Sequence, residues 1–127
     1  MVAILVVSHS ARLADGLGEL LAQVASPDLV VRAVGGTEDG RLGTSADLVQ
    51  KALEEVVGSD GVVVIPDLGS AVLTVRTVLD GFDSDRVVLV DAPFVEGAVA
   101  ASVTAASGAS LETVVKAARE ARDVSKL

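Results

Sequence analysis

The chain alternates short, unbroken apolar runs with longer stretches in which apolar positions recur at helical spacing. Val2 to Val7 is apolar throughout, as a strand is when helices cover both faces of a parallel sheet. Leu13, Leu17, Leu20, Leu21 and Val24 then fall at helical spacing. They predict a helix, capped by Ser10 and weakened slightly by Gly16 and Gly18, that lays this stripe on the sheet. Ser26-Pro27-Asp28 breaks the chain before a second strand, Leu29 to Val34, whose polar Arg32 suits a sheet edge. A loop with four glycines, Gly35 to Gly43, follows; it is too flexible and polar for a core element. Thr44 with Asp47 reads as a capping box for a second helix buried through Val49, Ala52, Leu53, Val56 and Val57.

Asp60-Gly61 turns the chain into a third strand, Val62 to Ile65. Beyond Pro66-Asp67-Leu68, Gly69 and Ser70 open a third helix with Val72, Val75, Val78 and Leu79 on its buried side, ended by Gly81 to Asp85. Arg86 to Val90 is the fourth strand, and helices over Val95 to Ser107 and Ser110 to Arg122, split by Gly108, complete the chain. Strands alternating with helices in this way are the pattern of βαβ units. The expected fold is therefore α/β, three αβα layers around a central parallel sheet in the flavodoxin-like strand order 2-1-3-4. Right-handed crossovers would set the first helix on one face and the following helices on the other.

Composition narrows the chemistry. At 127 residues the chain suits one domain, over 1–127, with a real core. Its two aromatic residues are both Phe, so stacking platforms for bases or sugars are missing. Ten basic against eighteen acidic residues give a formal charge of −8, which disfavours nucleic acid and anionic membranes and suits a basic protein partner or plain solubility. Without cysteine and with a single histidine, neither thiol chemistry nor a Cys/His zinc site is available. The first apolar run is too short for a signal peptide or a membrane span, so a cytoplasmic location is the expectation.

That one histidine, His9, stands where the first strand stops, between Ser8 and Ser10. On any chain such a residue is most simply a surface histidine between helix-capping serines. In the order 2-1-3-4 the chain reverses direction between strands 1 and 3, which opens a crevice at their carboxyl ends. His9 and Asp67 would both enter it. Adjacent strands lie about 4.8 Å apart, so the carboxylate reaches the imidazole and fixes its tautomer, leaving the other ring nitrogen free to attack phosphorus. The phosphate oxygens would then meet donors at the helix starts, from Ser10, Ala11, Gly69, Ser70 and Ala71, and from Gly36 and Thr37 in the loop.

Four segments in this order carry a resemblance: Val6-Val7-Ser8-His9-Ser10-Ala11, the Gly35-Gly36-Thr37 to Gly43-Thr44-Ser45 loop, Asp67-Leu68-Gly69-Ser70-Ala71, and Asp91-Ala92-Pro93-Phe94-Val95-Glu96-Gly97. Together they resemble the phosphocarrier subunits of phosphoenolpyruvate-dependent dihydroxyacetone kinases, mannose-type IIA domains of the bacterial phosphotransferase system. The resemblance implies that His9 accepts a phosphoryl group from the carrier HPr, with Asp67 orienting it. It also implies that the group passes to ADP held in the kinase's nucleotide-binding subunit. The chain itself would bind no metal and no cofactor, the ADP/ATP residing on that partner, and would form a homodimer.

Two departures qualify this. Some relatives carry HPr-like and enzyme-I-like domains on the same chain, whereas this one ends at Leu127 and would rely on separate donors. The segment Asp123 to Leu127 is too short and polar for the swapped strand of mannose-type IIA domains, so the small residues from Ala98 to Ala106 would either meet a second subunit or cover their own sheet. Among alternatives, a mannose-type IIA domain serving a sugar permease comes next, with the Thr37 to Thr44 loop favouring the kinase. A small tetrapyrrole chelatase shares part of the Ser8-His9-Ser10-Ala11-Arg12 pattern but wants further histidines or acidic ligands. Response-regulator receivers, for which Asp67 would be the phosphorylated residue, need an acidic pair and a late lysine that are missing. The first turn has no Gly-x-Gly-x-x-Gly and the loop no Walker motif.

Overall fold

A computed structural model describes residues 1–82 and 84–127. Four parallel strands, β1 (Ala3–Ser8), β2 (Val31–Gly35), β3 (Val62–Pro66) and β4 (Val87–Leu89), lie in the order β2-β1-β3-β4. The helices are α1 (Ala11–Val24), α2 (Ala46–Val56), α3 (Gly69–Asp80), α4 (Phe94–Ala106) and α5 (Leu111–Glu120). The expected fold class and strand order both hold. Every residue of the two central strands is buried, while β2 and β4 are only partly covered, which is why the central runs read as continuously apolar. Of the third helix's predicted stop, Asp83 lies outside the described residues; the helix ends at Asp80 with Gly81 as its C-cap.

Alternate residues of β1 face opposite layers. Ile4 and Val6 join Leu17 and Leu21 of α1 with the small residues of α4 and the apolar side of α5. Ala3, Leu5 and Val7 join Val49, Leu53 and Val56 of α2 and Ala71, Val75 and Val78 of α3. Each fully buried aliphatic side chain of this kind contributes roughly 1.5–3 kcal/mol. The first layer corrects an expectation, because α4 and α5 share the face of α1 instead of joining α2 and α3. Among the described residues no further strand extends the sheet after the edge strand β4, and α4 folds back over β1 and β3 beside α1. Ala98, Ala101, Ser102 and Ala105 are buried in that contact, and to this extent the small-residue segment covers its own sheet.

Two other details differ from the pattern reading. The side of α1 that meets the sheet is Ala14, Leu17 and Leu21, whereas Leu13, Leu20 and Val24 are 42–47% exposed. With Gly18 only 3.4 Å from the Ala33 side chain at the place a Cβ would occupy, small residues let α1 sit close on β2, which turns the larger ones outward. In α2 the cap is Ser45, accepting from the Leu48 N–H at 3.2 Å, and not Thr44. Val57 lies past the last turn and is exposed. Among the described residues no helix is long and apolar enough to cross a membrane.

Candidate active site

The carboxyl ends of β1 and β3 bring His9 and Asp67 together. Pro66 closes β3 opposite Val7, and the Asp67 N–H donates to the Val7 carbonyl at 3.0 Å. That last bond of the ladder carries the Asp67 carboxylate to the point where His9 leaves β1. One oxygen, Oδ2, accepts from the Ser8 hydroxyl at 2.7 Å and from the His9 backbone N–H at 3.2 Å. The other, Oδ1, accepts from the Leu68 N–H at 2.8 Å and meets His9 Nδ1 at 3.1 Å. Partial burial opposes ionisation of Asp67, yet the bonds from Ser8, the His9 ring and the His9 and Leu68 backbones outweigh it and hold the carboxyl below its usual range.

A carboxylate only accepts, so in the neutral ring Nδ1 carries the proton and the lone pair lies on Nε2. Nε2 is turned towards the start of α3 and is hydrogen-bonded by the Ser70 hydroxyl. Side-chain exposure is 22% for His9 and 9% for Asp67; the ring reaches solvent while its partner is enclosed. The start of α3 suits an anion. Whereas Ser10, Ser45 and Ser110 cap α1, α2 and α5 with their side chains, Leu68 at the head of α3 offers none. Among the described residues the Gly69 and Ser70 N–H groups have no protein acceptor, leaving two free backbone donors at the start of the helix whose Ser70 hydroxyl meets Nε2.

The remaining residues named from the sequence divide. Ala11 begins α1 and its N–H also has no acceptor among the described residues. The Ser10 hydroxyl accepts from Leu13 N–H at 3.2 Å as an N-cap, and its own N–H donates to Ser8 Oγ at 3.0 Å. Ala71 belongs to the core, and its N–H is spent on the Leu68 carbonyl at 3.0 Å. The Gly36 and Thr37 N–H groups are likewise committed, to the Ser8 carbonyl at 3.3 Å and the Arg41 carbonyl at 2.9 Å. Thr37 Oγ1 donates to Asp39 and accepts from Arg41 N–H at 3.1 Å. These three residues therefore build the scaffold and do not present free amides to a phosphate.

The glycine loop instead braces His9 from behind. Gly43 N–H donates to the His9 carbonyl at 2.9 Å. Gly35 passes so near α1 that a Cβ there would stand 2.5 Å from the Ser10 carbonyl oxygen, and Gly36 adopts a φ of 74° that favours glycine. Sequence reading missed Gly43 and, more importantly, Ser8. The available signal was a serine ending a strand whose other residues are all apolar. A cavity of about 610 Å³ opens beside Asp67 and Gly69, between α3 and the end of β4, with Arg76, Asp80 and Asp91 on its walls. His9 is not among its lining residues.

Residues 3–115 match the EIIA-man family, described as the PTS system fructose IIA component. The phosphoryl donor subunit DhaM of the PEP-dependent dihydroxyacetone kinase of Escherichia coli (strain K12) is 41% identical over 121 residues, which are 91% of this chain and 26% of that protein. Its counterpart in Klebsiella michiganensis is 39% identical over 133 residues, covering 100% of this chain and 28% of the relative. The chain thus spans about a quarter of the length of these relatives. A third, the phosphoryl donor subunit DhaM of PEP-dependent dihydroxyacetone kinase 2 from Listeria innocua, is 33% identical over 91% of this chain and 95% of its own length. Among solved structures, a protein of unknown function superposes with a TM-score of 0.81 at 34% identity, covering 93% of this chain and 92% of the other. The phosphotransferase system component EIIA from Streptococcus agalactiae shares the fold, with a TM-score of 0.72 at 17% identity over 99% and 97% of the two chains. The chain belongs to the EIIA-man family.

Proposed function

We propose that this chain is a phosphohistidine carrier, taking a phosphoryl group from HPr on His9 and passing it to ADP held in the nucleotide-binding subunit of a dihydroxyacetone kinase. The observation that carries the reading is the aim of Nε2, which points its lone pair at the uncapped start of α3 while Asp67 holds the opposite ring nitrogen. In the first step Nε2 attacks phosphorus, the phosphorus–nitrogen bond of the donor breaks, and its electron pair returns to the donor imidazole. The Nδ1 proton stays in its bond to Asp67, whose charge stabilises the cationic ring. The Gly69 and Ser70 amides and the Ser70 hydroxyl receive the phosphoryl oxygens. In the second step an oxygen of the ADP β-phosphate attacks, the Nε2–phosphorus bond breaks, and the neutral ring is restored.

The names of the three relatives, all phosphoryl donor subunits of dihydroxyacetone kinases, support this acceptor. The fructose IIA description of the family favours a second reading, a mannose-type IIA domain serving a sugar permease. Reconstituting phosphoryl transfer from phosphoenolpyruvate to dihydroxyacetone with and without this chain separates them. Product formed only in its presence is the expected result, and phosphorylated chain that yields no product would favour the permease.

Exposed leucines support a protein partner. Outside the C-terminal tail, the three most exposed large apolar side chains are Leu42, Leu73 and Leu68, at 79%, 66% and 59%. Leu42 precedes the residue that braces the His9 carbonyl, and Leu68 and Leu73 flank Gly69 and Ser70 at the head of α3. Leu73→Asp is expected to slow phosphoryl uptake by tenfold or more, a loss of about 1.4 kcal/mol or above, typical of a significant interface contact. Its melting temperature should stay near wild type because Leu73 lies outside the core. Uptake at the wild-type rate would move the docking surface away from α3.

A further inference from the structure

We propose that Ser8 is a positioning residue, whose hydroxyl locks the Asp67 carboxylate in place and thereby decides which nitrogen of His9 carries the proton. Its effect on phosphoryl transfer rests on the function proposed above; its effect on the ring does not. Ser8 closes β1, a strand otherwise made only of aliphatic residues, and is fully buried. Folding alone would be served by one more apolar residue at that position. Burial of a hydroxyl there costs free energy unless both of its hydrogen-bonding roles are filled.

Both are filled, and their arrangement is directional. Ser10 N–H donates to Ser8 Oγ at 3.0 Å, which occupies the oxygen from the side of α1. The single hydroxyl proton is then left for Asp67 Oδ2, 2.7 Å away. With Oδ2 held by Ser8 and by His9 N–H, the carboxylate cannot rotate without losing both bonds, and Oδ1 stays on His9 Nδ1. Ser102, the other fully buried polar side chain among the described residues, has no partner at all. The pairing at Ser8 is therefore not something this core supplies to every buried hydroxyl. Backbone donors from His9 and Leu68 hold the carboxylate as well, but every residue type except proline offers such an N–H at those positions. Ser8 alone anchors it to the sheet through a side chain.

The test uses the full chain, in which His9 is the only histidine, so ring nitrogen signals need no further assignment. In the wild type at alkaline pH, long-range proton–nitrogen spectra are expected to show the neutral ring with its proton on Nδ1. Ser8→Ala should shift the ring towards a mixture with the Nε2–H form, and Ser8→Thr, which keeps the hydroxyl, should restore the wild-type pattern. Phosphoryl uptake should fall roughly tenfold in Ser8→Ala and recover in Ser8→Thr, as when a partner that orients a functional side chain is lost. A Ser8→Ala protein that melts as a folded domain and keeps the Nδ1–H ring would overturn the proposal. Should Ser8→Ala not fold, a Ser8→Thr ring in the Nε2–H form would overturn it equally. A wild-type chain that takes up no phosphate, yet shows the expected ring pattern in all three proteins, would instead remove the carrier reading and leave the role of Ser8 intact.

Discussion

Incubation with phosphoenolpyruvate, enzyme I and HPr is expected to label the wild-type chain with 32P and to leave His9→Ala unlabelled. The loss should be complete because nothing else at the site can replace the nucleophile. In the variant Asp67 still has its oxygens engaged by three donors, from Ser8, the residue 9 backbone and Leu68, and the Ser70 hydroxyl loses the ring it touches as its base. The label should survive alkali and be lost in acid, as a phosphorus–nitrogen bond is. The fold of the variant should persist, since the His9 side chain is partly exposed and lies outside both core clusters. Labelling that persists in His9→Ala would dispose of the relay.

Asp67→Asn is expected to reduce the transfer rate about 100- to 1,000-fold, the 2.7–4 kcal/mol typical of losing one preorganised charge-stabilising partner. The substitution keeps the size of the side chain. It removes the charge that balances the imidazolium, and an amide can turn its NH2 towards Nδ1, which favours the wrong tautomer. Unchanged rates would remove Asp67 from the site. The same variant changes acid stability. Asp67 titrates below its unfolded value because its donors favour the anion, so its contribution is complete above the unfolded carboxyl range, near pH 4, and is lost as pH falls through the lowered folded value. Wild-type melting temperature should therefore fall more steeply than that of Asp67→Asn below about pH 4. Asp39 and Asp60, also lowered by their hydrogen bonds, are common to both proteins and cancel in the comparison. Parallel acid limbs would contradict the assignment.

What the sequence made legible follows from the kind of signal each feature leaves. Both central strands are buried on two sides, so their apolar runs are uninterrupted, and Arg32 marks β2 as an edge. Helical spacing found α1 but chose its larger residues, Leu13, Leu20 and Val24, for burial. Size ranks hydrophobicity, whereas the sheet selected Ala14 and the stripe beside it, which permit a closer approach. The return of α4 and α5 to the face of α1 left no local trace, because apolar spacing reports that a side is buried and not which side of the sheet covers it. At the site, His9 and Asp67 were readable because chain order placed each just past the end of a central strand. The partners that set their geometry were not. Gly43 acts through its backbone N–H, Ser8 through the direction of one hydroxyl proton, and the idle amides of Gly69 and Ser70 are recognised only once the neighbouring bonds are known.

The proposed chemistry depends on Nε2, and not Nδ1 or a carboxylate oxygen, being the atom that bonds to phosphorus. Nitrogen and phosphorus NMR of the nitrogen-15-labelled chain after reaction with phosphoenolpyruvate, enzyme I and HPr reads this directly. The expected result is phosphorus coupling to Nε2, with the proton of Nδ1 retained against Asp67. Coupling to Nδ1, or a phosphoryl signal with no nitrogen coupling as in an acyl phosphate, would contradict the account.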